Sequence, residues 1–256
     1  MRIATWNVNS LGVRMPRVEA WLADFAPDVL CMQETKLADD AFPSLAFSAL
    51  GYESYYVGEG RWNGVAILSK VGLEDPAAGF DDGDEPDAEA RLCWATCGGM
   101  RIASCYIPNG RSLEHEHYQY KLRWLSRLHS MLINHNQPTD NVALLGDFNV
   151  APEDRDIWDP KKFIGETHAS EPERTALAKL CGWGLEDVFR RFYDDEGLYS
   201  WWDYRGGNFH KRMGLRIDLA LLSKPLADRS TRVLIDRNAR KGEQPSDHAP
   251  VVVDIA

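Results

Sequence analysis

With 256 residues, 44% hydrophobic and 27% charged, the chain can bury a substantial core and has the make-up of a soluble enzyme. No apolar run is long enough to span a bilayer, and Met1-Arg2-Ile3 enters a strand at once, leaving no room for a signal peptide; this excludes a membrane partner and points to a cytoplasmic location. The net charge of −10 is the wrong sign for a nucleic-acid binder, yet residues 74–89 hold eight acids and no base, which leaves −2 for everything else.

Residues 2–8 read as a strand ending in Asn7-Val8-Asn9. Pro16 is expected to open an amphipathic helix bearing Val18, Trp21, Leu22 and Phe25, closed by Pro27. Residues 28–32 form a second buried strand that runs into Gln33-Glu34-Thr35-Lys36. Strands follow at 52–57 and 64–69, and the acidic segment 74–89, rich in Gly, Pro and Asp, reads as a solvated loop. Strands at 91–97 and 101–107 are joined by the hairpin signal Gly98-Gly99.

Residues 114–132 are a long helix with Tyr118, Leu122, Leu125 and Leu128 on its apolar stripe. The strand at 142–149, VALLGDFN, passes from apolar residues straight into Gly146, Asp147 and Asn149, which suits an acid and a carboxamide presented together at a sheet edge. Residues 155–170 look irregular, 171–180 and 185–192 helical, and 215–222, 231–235 and 250–255 extended. Strands and helices alternate through both halves without a linker. The expected fold is α/β: one domain over 1–256, a four-layer α/β sandwich of two packed, mainly antiparallel or mixed β-sheets flanked by helices. Five cysteines without C-x-x-C spacing argue against a disulfide framework and a zinc cluster, and Cys31, Cys93, Cys97 and Cys105 read as buried thiols.

The expected strand ends collect Asn7, Glu34, Tyr106, Asp147, Asn149, Asp218, Asp247 and His248. Crowded carboxylates repel unless a cation lies among them, and hard oxygen ligands select Mg²⁺, with Mn²⁺ as the alternative, over zinc. A His held by an Asp can counter phosphate charge. Together these groups point to metal-assisted hydrolysis of a phosphate ester.

Eight pieces in order carry a resemblance over essentially the whole chain: TWNVNS (5–10), LCMQETK (30–36), WNGVAILS (62–69), YIPNG (106–110), LLGDFN (144–149), YSWWDYR (199–205), GLRID (214–218) and PSDHAP (245–250). The sequence resembles the exonuclease III family of abasic-site (AP) endonucleases, within the endonuclease/exonuclease/phosphatase superfamily. The resemblance implies Glu34 as the main metal ligand, with Asn9 nearby and Asp247 as a second carboxylate. It implies Asp147 as general base on the attacking water (a general acid in some treatments), with Asn7 orienting it. Asn149 would hold the scissile phosphate, His248, oriented by Asp218, would bind a phosphate oxygen, Tyr106 would serve the phosphate or the leaving group, and Asn109 would contact the backbone. Trp201, Leu215 and Ile217 would line a small apolar pocket for a flipped-out abasic sugar. The implied substrate is double-stranded DNA with abasic sites or blocked or recessed 3′ ends, cut by a monomer.

Tyr199, Trp201, Trp202 and Tyr204 are expected to divide into a core pair and an exposed pair. His115 and His117, two apart at a helix start, do not share a face and read as a solvated end rather than a metal pair. His168 lies in the irregular stretch bordering the sugar pocket, where its bulk could tune abasic-site entry against end resection. The basic pairs Lys161-Lys162, Arg190-Arg191, Lys211-Arg212 and Arg240-Lys241 read as surface, with Lys211-Arg212 placed for phosphate contacts. A lipid-directed phosphodiesterase of the superfamily would share GDFN and SDH, but YSWWDYR followed by GLRID argues for the DNA-repair branch. A catalytically silent binding module would have lost a member of the constellation, and none is missing.

Overall fold

Strand β1 (Arg2–Asn7) leads into helix α1 (Leu11–Phe25) and strand β2 (Val29–Gln33) in a computed structural model that describes residues 1–256. Helix α2 (Ser44–Ala49), β3 (Glu53–Val57), β4 (Val65–Ser69), β5 (Glu74–Ala78), β6 (Leu92–Cys97) and β7 (Met100–Tyr106) follow. Then come α3 (Glu116–His135), β8 (Val142–Asp147), α4 (Glu171–Trp183), β9 (Leu185–Asp187) and α5 (Val188–Phe192). The chain closes with α6 (Asn208–Lys211), β10 (Asp218–Ser223), α7 (Lys224–Ala227), β11 (Ser230–Ile235) and β12 (Val251–Ile255).

Two six-stranded sheets result, in the orders β11-β12-β1-β2-β4-β3 and β5-β6-β7-β8-β10-β9. Each has one parallel pair at its centre, β1 with β2 and β7 with β8, and is antiparallel elsewhere. The inner faces pack through Ile3, Cys31, Ile67, Cys93, Ala143 and Leu145. Trp6, Trp21, Leu22 and Phe47 fill the space between the first sheet and α1 and α2; Trp124, Leu125, Leu128 and Leu180 do so between the second sheet and α3 and α4. This is the expected four-layer sandwich. Because both parallel pairs point the same chemistry-bearing ends toward one edge, β1, β2, β7 and β8 finish together there.

Gly146 is where sheet packing leaves no room for a side chain: a Cβ would lie 1.9 Å from the Cys105 carbonyl oxygen on neighbouring β7. Gly146→Ala is therefore expected to destabilise by at least the roughly 1–3 kcal/mol typical of overpacking, read as a lowered urea midpoint.

Several expectations are corrected. Helix α1 starts at Leu11, not Pro16, because the Ser10 and Leu11 N–H groups bond to the Glu34 and Thr35 carbonyls and anchor an earlier first turn. The stretch 185–192 is not one helix: β9 pairs with β10 before α5 begins. The acidic segment is not wholly a solvated loop. Its start is edge strand β5, where Pro76 sits at a register shift, as edge prolines do. Its remainder docks on α3, with Arg127 on Asp82 (2.6 Å) and the Tyr120 hydroxyl on Asp87 (2.7 Å). On α3 the half-exposed Leu122 is off the buried stripe, and Lys121 is on it. No helix is long and apolar enough to cross a membrane.

Candidate active site

Register brings three polar side chains level in the second sheet: Asp147 on β8 is paired with Tyr106 on one side and Asp218 on the other. Facing them from the first sheet are Asn7, the last residue of β1, and Glu34, just past β2. His248 arrives from the segment before β12, its carbonyl held by Trp6 Nε1 at 3.3 Å. The predicted constellation is thus assembled at one edge.

The Asn7 carboxamide ties the two sheets' carboxylates together, its Nδ2 donating to Glu34 Oε1 (2.8 Å) and Asp147 Oδ2 (2.9 Å). The other Asp147 oxygen accepts from the Asn149 N–H at 2.9 Å. Burial pushes the Asp147 carboxyl up to about 7; the His248 charge opposes this, and Asp218 and Glu34 reinforce it. His248 Nδ1 donates to Asp218 (2.9 Å to Oδ2), leaving Nε2 3.8 Å from Asp147 Oδ2. Burial alone would strip the imidazolium proton, but the Asp218 and Asp147 carboxylates outweigh it and hold the group up to about 10. His248 is cationic at neutral pH. Burial and the neighbouring Glu34 charge push the Tyr106 phenol well above its usual range, so it stays a donor. The Arg91 guanidinium stacks 4.4 Å from that ring's centroid.

Ligand atoms of Glu34, Asp147 and His248 lie within 4.8 Å of one another, an acidic site of metal-binding type. The imidazolium is a poor member of that set, since a protonated ring has no lone pair to give. Hard oxygens remain. Lys36 Nζ lies 2.9 Å from Glu34 Oε2 and 2.5 Å from Asn9 Oδ1, so a positive charge already stands where these oxygens converge. That stand-in and the oxygen donors fit a hard divalent cation. Asp247 accepts from Asn9 Nδ2 (2.9 Å) and Trp201 Nε1 (3.0 Å), which fixes its carboxylate beside the same oxygens.

On the far side, Asn109 Nδ2 reaches Asn149 Oδ1 and His168 Nε2, both at 3.3 Å. The Asn149 carbonyl can only accept, so His168 Nδ1, 2.7 Å from it, carries the ring proton. Burial and the Lys121 charge lower His168 to about 4, leaving it neutral. Trp201 is partly exposed, whereas Leu215 and Ile217 are 1% and 2% exposed and pack behind it with Ala151 and Ile157. Tyr199 and Trp202 are the core pair of the aromatic stretch, and Trp201 and Tyr204 face outward. His115 caps α3 by accepting from the His117 N–H. Two basic residues turn inward: Arg190 pairs with buried Asp156, and Arg240 bonds the Ser246 carbonyl. Lys161, Lys162, Lys211 and Arg212 stay exposed.

Asn9 (φ 44°), Glu34 (φ 53°), Lys36 (φ 53°), Asn149 (φ 51°) and His168 (φ 76°) at this edge all adopt left-handed backbone. Non-glycine residues pay for that conformation and concentrate it at functional sites. Sequence reasoning assigned no role to Lys36, Arg91 or Lys121. A lysine on the apolar stripe of α3 was the available signal for the last of these.

The chain matches the Endonuclease/Exonuclease/phosphatase family over residues 4–248. It is 34% identical to exodeoxyribonuclease III of Haemophilus influenzae, covering 98% of both chains. It superimposes with a TM-score of 0.96 on an AP endonuclease from Archaeoglobus fulgidus, at 38% identity over 100% of this chain and 99% of that one. The same score, identity and coverage relate it to the 3′ phosphatase NExo from Neisseria bound to a product DNA hairpin.

Proposed function

The chain belongs to the endonuclease/exonuclease/phosphatase family and is a hydrolytic nuclease of the exonuclease III type, and from that premise we propose that it is a Mg²⁺-dependent DNA-repair nuclease. Its substrate is double-stranded DNA, cut 5′ to abasic sites, with 3′→5′ exonuclease and 3′-end-cleaning activity at the same centre. It works as a single domain over 1–256, as a cytoplasmic monomer. The observation that carries the reading is the buried Asp147 carboxylate, bridged to Glu34 through the Asn7 carboxamide and 3.8 Å from the His248 ring that Asp218 holds by Nδ1.

A divalent cation, Mg²⁺ or Mn²⁺, held by Glu34 with Asn9 and Asp247 beside it, supplies Lewis-acid neutralisation of the scissile phosphate when bound. The protein's own groups do the rest. Asp147, steered by Asn7, takes a proton from the attacking water. His248 Nε2–H donates to a phosphate oxygen as charge builds there, with Asp218 holding the ring by Nδ1. Tyr106 donates to the phosphate or the departing oxygen. Asn149 and Asn109 fix the phosphate and the adjoining backbone. Trp201 presents its exposed ring to the sugar, backed by Leu215 and Ile217; a sugar without its base is compact and cheap to flip.

End-labelled duplexes test this, one with a central abasic-site analogue and one undamaged with a recessed 3′ end, each with Mg²⁺ and with EDTA. The expected result is Mg²⁺-dependent incision 5′ to the abasic site, lost in Glu34→Gln. Shortening of 3′ ends alone, with the abasic duplex intact, moves the protein to end processing. No cleavage of either duplex removes the nuclease assignment.

His168, wedged between Asn109 and Asn149, bears on the balance of these activities. His168→Gly is expected to raise abasic-site incision relative to 3′ resection by several-fold. An unchanged ratio removes the idea.

A further inference from the structure

The only cation on the buried stripe of α3 is Lys121, and both it and Glu173, at the start of α4, are 0% exposed. A buried ion pair is a poor source of stability, because desolvating two charges costs about what their attraction returns. Its geometry gives it a different use. The ammonium donates to Glu173, to the Asn149 carbonyl (2.7 Å) and to the Asn109 carbonyl (3.2 Å). Thr167 Oγ1 donates within the same cluster, lying 2.9 Å from the Asn109 carbonyl and 2.7 Å from Glu173 Oε1. Glu173 in turn accepts from the His168 and Ser170 N–H groups, both at 3.0 Å. Packing is tight: a Cβ on Gly110 would meet Thr167 Oγ1 at 2.8 Å and Lys121 Cδ at 3.3 Å.

We infer that the Lys121–Glu173 pair is a positioning device for the reaction, a buried hub that locks the Asn109 and Asn149 backbones in register so that their carboxamides meet the phosphate. The inference rests on the proposed roles of those two carboxamides. The metal side of the site is reached from this network only at third hand, through Asn149, Asp147 and Asn7, while Glu34 and Asp247 are held directly by Asn7, Lys36, Asn9 and Trp201. The hub therefore controls the chemical step and not metal affinity, a separation that a merely structural pair would not produce.

Lys121→Met/Glu173→Met removes both charges together and leaves neither unpaired. In the full chain, this variant is expected to fold with a lowered melting temperature, because the His168 and Ser170 N–H groups lose their Glu173 acceptor, and to bind Mg²⁺ with wild-type affinity by calorimetry. Its single-turnover cleavage of an abasic duplex at saturating Mg²⁺ and DNA should fall roughly 10–100-fold, as misplacing a substrate-positioning group by a fraction of an ångström to about 1 Å does. Adding Asn149→Ala should then cost much less than it does in the wild-type background, because Asn149 is already displaced. A wild-type rate in the folded double variant, or a fully additive Asn149 effect, overturns the inference. If the double variant does not fold, Thr167→Val decides: it removes only the hydroxyl, and a several-fold loss in the same step supports the hub while an unchanged rate overturns it. Wild-type protein and Glu34→Gln run alongside keep the outcomes separable. No cleavage by wild type counts against the nuclease reading itself, whereas active wild type with an unaffected hub variant counts against the hub alone.

Discussion

Replacing Asp147 with asparagine is expected to lower the cleavage rate constant by roughly 10²–10⁴-fold, the range for loss of a positioned general base, while DNA affinity stays near wild type. The substitution is isosteric and can keep the Asn149 N–H bond through its carbonyl oxygen, but its amide nitrogen then faces the Asn7 donor, so the Asn7 tether is lost together with the proton acceptor. Two pH effects accompany it. Only the ionised carboxyl accepts a proton, so wild-type rates should rise with pH toward neutrality, and the rise should move to lower pH as added metal favours the anion. Stability should run the other way in metal-free protein. The folded value, about 7, lies above the unfolded carboxylate value near 3.9, so the native state holds the proton more tightly. The Asp147 contribution is complete below about pH 4 and is lost as pH rises to about 7. Asp147→Asn should lack that part of the decline, read as the difference between the two proteins' urea midpoints across this window.

His248→Ala is expected to cost about 10²–10³-fold in the same rate constant, the range seen when a donor to developing negative charge is removed. The imidazolium is 3% exposed and held through Nδ1 by Asp218. Its folded value, about 10, stands well above the unfolded value near 6.5. The pair's contribution to stability is therefore full below pH 6.5 and is lost as pH climbs through 10. The variant should fall off less steeply than wild type over that alkaline range. Asp218→Asn, which leaves the ring in place with a neutral partner, should show a smaller rate loss and an intermediate alkaline profile. Equal alkaline profiles for all three proteins would contradict the ion-pair reading.

The candidate site was legible because its parts are strand ends. Once 2–8, 28–32 and 142–149 are read as strands, their abrupt polar endings point to Asn7, Glu34, Asp147 and Asn149 at one edge; however, β8 stops at Asp147 and β2 at Gln33, so Asn149 and Glu34 reach the site by left-handed turns and not by strand alternation. What was hidden depends on tertiary pairing. The run 185–192 has an apolar rhythm that suits a helix, yet the β10 edge claims its first three residues as β9. Pro16 is a good helix opener, but the backbone turn at Glu34 and Thr35 starts the helix one turn earlier. Arg190 and Arg240 looked like surface charge because nothing local reveals that Asp156 and Ser246 wait for them in the interior. Leu215 and Ile217 pack against Trp201, but Ala151 and Ile157, which come from distant sequence, bury them almost completely, so of the three only Trp201 offers surface to a pocket. The left-handed backbone carries a weak compositional signal at Asn9, Asn149 and His168, types enriched in that conformation, and none at Glu34.

The central claim is hydrolysis: water, deprotonated at Asp147, attacks the phosphorus 5′ to the abasic sugar. Single-turnover cleavage of an abasic duplex in heavy-oxygen water with Mg²⁺, followed by mass spectrometry of both fragments, tests it most directly. The account predicts one heavy oxygen on the phosphate left on the sugar side and an unlabelled 3′-hydroxyl on the other fragment. An upstream fragment whose 3′ end carries an unsaturated aldehyde, with no label in the phosphate of the downstream fragment, would mean elimination through the sugar and would contradict it.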